Sequence, residues 1–318
     1  MIEYYANDKN GNLIPVNAPQ QDCWINVERP THDEISQLAH RYNFPETYIS
    51  AILDDRENSR VDGIDPQRPE RPLHLLLQFP KYEVSPLGYL SFTTFPFSFI
   101  LTDSAVITVS KQPATFINDF IMNPDNATIR IADRQDFILR FGWYIAHSFV
   151  HALSLSERET TSLERELTTA TRNEQIYKIM GLQKSLVLFD SALKDNRPIL
   201  DQISSAQDYF NGPHFHELLA QIMIETDQAQ SMTIIQNDIL EQYSNMVSSV
   251  VSNNLNEVMK LLTSVTLIMT IPTIVGGIYG MNVDLPFAHI AHAFSLVMGF
   301  TIIVCAITAW ILKRHDWF

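Results

Sequence analysis

The chain has 318 residues, 46% of them hydrophobic, and carries 36 acidic residues against 22 Lys and Arg, a formal net charge of −14. A mean hydropathy of −0.03 excludes a chain that is membrane-embedded throughout, and a net acidic balance argues against nucleic-acid binding, which needs Lys and Arg to displace counterions from phosphates. Two cysteines, Cys23 and Cys305, with no CxxC pair, provide neither a disulfide framework nor a thiolate zinc site. The charge is unevenly placed. Residues 255–318 balance Glu257, Asp284 and Asp316 against Lys260, Lys313 and Arg314, so the whole excess lies in residues 1–254.

The opening segment, Met1 to Asp8, has no basic stretch followed by an apolar run, so no secretory signal is expected and the acidic body is expected in the cytosol. Residues 1–132 read as a mixed α/β cytoplasmic domain. Strand-like runs occur at Cys23–Val27, Leu73–Tyr82 and Leu90–Ser110, with a turn signal at Asn10-Gly11. Thr31 followed by Glu34 is a capping-box pattern ahead of Ile35, Leu38 and Ala39, and Pro45 opens a second short helix. The charged, Pro-containing stretch Asp54–Pro72 reads as a loop.

Residues 133–213 read as the helical part of the same domain. Arg134 to Gln207 is rich in Leu, Glu, Arg and Ala, and predicts two or more long helices with a break near Asp195-Asn196-Arg197-Pro198. After Asn211-Gly212-Pro213 no Pro recurs until Pro272 and no Gly until Gly276. A stalk helix over 214–260 is therefore expected to run on into a first membrane span at 261–279, a single rod roughly 100 Å long.

Leu261–Val283 and Ala293–Leu312 hold no charged residue, and each is long enough for a bilayer core of ~30 Å, which needs about 20 helical residues. The expected layout is a span at 261–279, a loop at 280–292, a second span at 293–312 and a tail at 313–318. Lys260, Lys313 and Arg314 flank the hairpin on one side, so the positive-inside rule places both termini in the cytoplasm of a multi-pass plasma-membrane protein.

The first span has a polar stripe. Asn256, Met259, Thr263, Thr266, Thr270, Thr273, Gly277 and Gly280 recur at helical spacing on one face, opposite aliphatic residues such as Leu267, Ile271 and Ile274. Such a face serves either helix packing, to which the small pair Gly276 and Gly280 also contributes, or the lining of a water-filled path. Two spans cannot enclose a pore, so the second reading requires an oligomer of about four to six copies, with the second span, whose polar residues Ser295, Thr301 and Thr308 form no continuous face, turned to lipid. The stripe carries no fixed charge. Its hydroxyl, amide and carbonyl oxygens suit an ion that keeps its water shell, as Mg²⁺ does, and Met259 and Leu262 would form an apolar constriction when repeated about an axis.

Tyr279-Gly280-Met281-Asn282 at the outer end of the first of two C-terminal spans, preceded by Asn253–Thr263, Pro272-Thr273 and Gly276-Gly277-Ile278 in order and spacing, resembles the CorA-type magnesium transporter family. The resemblance implies a pentameric funnel, in which an α+β cytoplasmic domain and a very long stalk helix lead into a two-helix C-terminal transmembrane hairpin. It implies a selectivity filter of Gly280, Met281 and Asn282, with Asn282 against the hydration shell of Mg²⁺, and Asn256, Met259, Leu262, Thr266, Thr270, Thr273 and Gly277 facing the pore. Thr263 joins them from the stripe. The implied activity is Mg²⁺ uptake, with Co²⁺ and Ni²⁺ as further substrates, driven by membrane potential. No cofactor is expected to be bound permanently; Mg²⁺ is substrate and candidate regulatory ligand, and the partners are further copies of the chain and the bilayer.

This sequence departs from the family where Val283 follows the triplet and Phe287 follows Pro286. Asp284 is then the single loop carboxylate, and Glu217, Asp227 and Asp238, with Asp54 and Asp55, are the remaining candidate metal ligands. The zinc-transporting branch of the same superfamily is the alternative, against which Met281 argues, because that branch tends to carry Ile there. A membrane-anchored divalent sensor that transports nothing is a third reading. His147 and His151, four apart but without the Glu of a zinc-protease motif, read as partly buried structural residues, and the scattered glycines form no phosphate loop, so no enzyme activity is expected.

Overall fold

A computed structural model of the chain describes residues 1–65, 67, 71–85, 88–123, 126, 129–167, 173–210, 212–282, 292–315 and 317. These residues form two compact units, Met1–Ser244 and Asn245–Phe318.

The first unit is built on one seven-stranded sheet, made of β1 (Ile2–Asn7), β2 (Leu13–Val16), β3 (Cys23–Glu28), β4 (Arg60–Asp62), β5 (Leu73–Val84), β6 (Leu90–Leu101) and β7 (Ala105–Ser110), in the order β2-β1-β3-β7-β6-β5-β4. All neighbours are antiparallel except β3 and β7, which pair in parallel from Cys23 opposite Ala105 to Glu28 opposite Ser110. The run Leu90–Ser110 is thus two strands, folded back where Thr102 receives the Ala105 amide on its hydroxyl. The charged stretch after Asp54 is not wholly loop. Arg60–Asp62 pairs as β4 with Leu76–His74, because Arg60 binds Glu57 and Asp62 and so neutralises the charges that would keep an edge strand apart.

Side chains alternate across the central strands, and helices cover both faces. Cys23, Ile25 and Val27 of β3, with Ile107 and Val109 of β7, pack against α1 (His32–Tyr42) and α2 (Thr47–Ser50). Thr31 caps α1: its hydroxyl accepts the Glu34 amide while the Glu34 carboxylate accepts the Thr31 amide. On the other face Trp24, Phe97 and Phe99 meet Phe116 and Phe120 of α3 (Phe116–Met122) and Phe137 and Phe141 of α4 (Arg134–Leu167) in a run of ring contacts with centroids 4.4–5.8 Å apart. The Trp24 indole donates to the Thr108 hydroxyl at 2.8 Å, which satisfies the one polar group such a ring buries.

The helix α5 (Asn173–Ser205) runs through Pro198 without the expected break. Asn196 explains how this stretch is held. Its amide lies against the free edge of β5 beyond β4, accepting from the Gln78 amide at 2.8 Å and donating to the Gln78 carbonyl at 2.9 Å, while Ser59 donates to the same oxygen. Tertiary hydrogen bonds thus offset the one that Pro198 removes from the helix. The expected long rod is α6, Phe215–Tyr279, 65 residues with Pro272 inside it. A further helix, α7, spans Ala293–Arg314.

Candidate pore-lining face

Among the described residues, α6 and α7 are the two helices long and apolar enough to cross a membrane. Their mutual packing selects one side of each. On α6, Ser264 is fully buried and Ile268, Ile271 and Val275 are shielded, at spacings of four, three and four. On α7 the shielded positions include Val297, Thr301, Val304, Cys305 and Thr308, and the Cys305 thiol reaches the Ile268 carbonyl at 3.7 Å. Ser264 donates to the Trp317 carbonyl at 3.2 Å. One side of α7 is thus covered by α6. Thr301 is only 4% exposed and Thr308 half-buried, and each returns its hydroxyl hydrogen to a carbonyl of its own helix, that of Val297 or Val304.

The polar stripe lies on the far side of α6 from this contact. At 100° per residue, Thr266, Thr270, Thr273 and Gly277 each stand two positions, about 200°, from Ile268, Ile271 or Val275. Asn256, Met259, Leu262, Thr263, Thr266, Thr270, Thr273, Gly277 and Gly280 are all exposed in the single chain. A methyl group added at Gly276 or Gly277 would meet nothing within 4 Å, so the chain's own hairpin does not use these glycines for close packing.

Three of the threonines share a geometry that spacing alone hints at. Thr266 donates to the Leu262 carbonyl at 2.7 Å, Thr270 to Thr266 at 2.7 Å, and Thr273 to Met269 at 3.0 Å. Each hydroxyl spends its only hydrogen on the backbone four residues earlier. What remains for anything beside this face is lone pairs. A row of acceptors without donors matches the outward-pointing hydrogens of water held around a cation and opposes an anion.

The helix closes at its C-terminal end with the Gly280 amide on the Gly276 carbonyl at 2.9 Å and the Met281 amide on the Ile278 carbonyl at 3.2 Å. Gly280, Met281 and Asn282 follow as exposed residues. Asp284, and with it most of the loop 280–292, lies outside the described residues.

The acidic candidates in the first unit stay apart. Glu217, Asp227 and Asp238 are exposed on α6, and among the described residues no three His, Cys, Asp or Glu side chains come together as a metal site within one chain. Asp227 forms an ion pair with Arg197, which also holds Asp201 at 3.2 Å. Asp55 pairs with Lys111 at 2.9 Å, and Asp54 accepts the Arg56 amide. His147 and His151 are exposed rather than partly buried. His147 stacks on Trp143 with centroids 4.6 Å apart and faces Glu225 at 3.5 Å.

The chain matches the family described as CorA-like Mg²⁺ transporter protein over residues 19–314. A cobalt/magnesium transport protein CorA from Methanocaldococcus jannaschii is 25% identical over 334 residues, covering all of both chains. The solved structure of a CorA magnesium transporter from the same organism superposes with a TM-score of 0.82 at 22% identity, covering 100% of this chain and 99% of that one. The cytoplasmic domain of ZntB from Vibrio parahaemolyticus is similar at a TM-score of 0.58 and 13% identity, covering 79% of this chain and 98% of that domain. With its acidic α+β body, its 65-residue helix and its apolar C-terminal pair matched along nearly the whole length, the chain belongs to the CorA-like Mg²⁺ transporter family.

Proposed function

We propose that this chain forms a homopentameric channel for Mg²⁺ in the plasma membrane, with both termini in the cytoplasm and five copies of α6 around the pore. The observation that supports it most is the acceptor-only face of Thr266, Thr270 and Thr273, which the chain's own second helix leaves uncovered. Around an axis it becomes a channel wall of lone pairs with no fixed charge, suited to an ion that gives up its water reluctantly. Gly280, Met281 and Asn282 form the outer filter in this reading, and the Asn282 side-chain oxygen receives hydrogen bonds from the ion's first water shell. Met259 and Leu262 supply an apolar constriction that gates by dewetting. The membrane potential suffices as the driving force, since two charges at 100 mV gain roughly 4.6 kcal/mol.

Co²⁺ and Ni²⁺ are further substrates in this reading, the first also named for the archaeal relative. Cytoplasmic Mg²⁺ is the proposed feedback ligand. Glu217, Asp227 and Asp238 lie apart within one chain, so such a site needs carboxylates from more than one copy. Flux that stays constant over a wide range of internal Mg²⁺ overturns this part of the proposal.

The zinc-transporter alternative draws on the likeness to the ZntB cytoplasmic domain, which concerns the fold alone. Proteoliposomes carrying the full chain separate the readings. Mg²⁺ influx that follows an imposed voltage and ignores a pH gradient supports the channel, and Asn282→Ala is expected to reduce flux or Mg²⁺ selectivity. Zn²⁺ flux driven by the pH gradient selects the alternative, and flux untouched by Asn282→Ala sinks the assignment of the filter.

A further inference from the structure

Ser264 places its hydroxyl hydrogen differently from the threonines around it. Thr266, Thr270 and Thr273 of α6, and Thr301 and Thr308 of α7, each donate to a carbonyl of their own helix. Ser264, fully buried, donates across the hairpin to the Trp317 carbonyl at 3.2 Å. A turn brings that carbonyl within reach. Cys305 meets the Ile268 carbonyl, so in this antiparallel pair Ser264, one turn earlier on α6, stands level with Ala309 on α7. Trp317 lies eight residues beyond Ala309. It reaches Ser264 because the chain doubles back after α7, where the His315 and Trp317 amides both donate to the Leu312 carbonyl, at 3.2 and 3.1 Å.

Two polar ties therefore join α7 and its tail to α6, one at Ser264 and one at the Ile268 carbonyl, four residues apart on the same side. Both sit behind the acceptor row. Thr266 stands about 200° around the helix from Ser264, as Thr270 does from Ile268. The rest of the contact has little power to choose this orientation. Exposed aliphatic residues flank it on both sides, Leu261 and Val265 on one and Leu267 and Ile274 on the other. Turning α6 by about 80° either way would offer α7 another apolar side, with the threonines swung off their axis. Apolar contact is non-directional, and in hydrocarbon it gains nothing over contact with lipid tails. A hydrogen bond between helices has a direction. We propose that Ser264 is a positioning residue for transport: by holding the Trp317 carbonyl it fixes the rotation of α6 about its own axis and aims the oxygens of Thr266, Thr270 and Thr273 at the pore. This role rests on the channel reading and adds to it the residue that sets the azimuth of the pore wall.

Thiol labelling of the full-length chain in liposomes tests this, with a water-soluble methanethiosulfonate and single probes at Thr270→Cys, in the acceptor row, and Leu267→Cys, on an aliphatic flank. Cys23 is fully buried in the core of the sheet and stays native, while Cys305→Ser removes the other thiol and keeps a donor beside Ile268. With Ser264 intact, Thr270→Cys is expected to label faster than Leu267→Cys. Ser264→Ala should lower that ratio of rates by about fivefold, the bias in orientation that one ordinary hydrogen bond sustains, and Mg²⁺ influx at an imposed voltage should fall with it. Deleting residues 316–318 removes the acceptor instead of the donor. It should give the same loss, and both changes together no more than either alone, since they break one bond. A lowered melting temperature with an unchanged labelling ratio makes the bond a mere anchor for the tail and overturns the proposal, as does influx that holds at the parent level while the ratio falls. If Thr270→Cys labels no faster than Leu267→Cys with Ser264 intact, the channel reading itself fails and this role with it, an outcome distinct from the first two.

Discussion

His74 is fully buried between two polar partners, with Nε2 at 3.0 Å from the Ser98 hydroxyl and Nδ1 at 3.4 Å from Asp62, and its ring is stacked on Tyr48. Burial lowers its pKa to about 4, against the opposing pull of the Asp62 carboxylate. The unfolded chain takes up a proton near pH 6.5 that the folded chain refuses until about pH 4. Stability is therefore complete above the unfolded value and falls as pH drops through this window, by up to roughly 3 kcal/mol. Melting temperatures of the full-length chain at pH 7 and pH 5 should differ, and His74→Phe should flatten that difference; an unchanged pH slope in the variant excludes His74 as the cause. Nothing in the linear order marks this contact. His74 and Ser98 face each other only once β5 and β6 are paired, and Asp62 joins them through β4.

At the scale of elements, Asn196 on α5 substitutes for a missing neighbour strand at Gln78. Asn196→Ala removes partners from a buried backbone amide and carbonyl together, and should cost ~3 kcal/mol. Asn196→Asp restores the acceptor but not the donor, so its melting temperature should fall between alanine and the parent. This contact also explains which elements were legible in the sequence and which were not. The start of α1 was readable because a capping box is local to four residues, and the length of α6 because Gly and Pro are absent over more than fifty. The passage of α5 through Pro198 was not readable, since it depends on a hydrogen bond to a strand 118 residues earlier. The short β4 was hidden because it exists only by pairing with β5, more than ten residues later, while its charges read as loop. Of the candidate pore face, the positions of the threonines were visible as a period. The direction of their hydroxyl hydrogens follows from the helix backbone, and the side taken by α7 follows from packing. On the channel reading, Thr270→Val keeps the shape of the face and removes an acceptor, and should lower Mg²⁺ flux where Thr270→Ser, which can still bond to the Thr266 carbonyl, preserves it. Equal flux in both variants would remove the hydroxyl row from the mechanism.

The molecule as a whole divides its charge between an acidic first unit and a second unit whose spans carry none. The proposed pore closes only with several copies, so native mass spectrometry of the detergent-solubilised protein should give five times the 36.4 kDa chain, and a monomer or dimer as the largest species would contradict the channel reading. The parallel pairing of β3 with β7 bears on how the chain is made. Residues 23–28 must wait for residues 105–110 before their outer edge is satisfied, so the sheet cannot close until more than a third of the polypeptide has left the ribosome. At about 5–20 residues per second that is a delay of several seconds, during which a nearly continuous apolar strand stays unpaired on one side. The whole first unit nevertheless precedes the first apolar span in order of synthesis. The acidic body can thus finish folding before any segment that requires a membrane emerges, and slowing translation between residues 110 and 260 should favour recovery of soluble intermediates with a completed sheet.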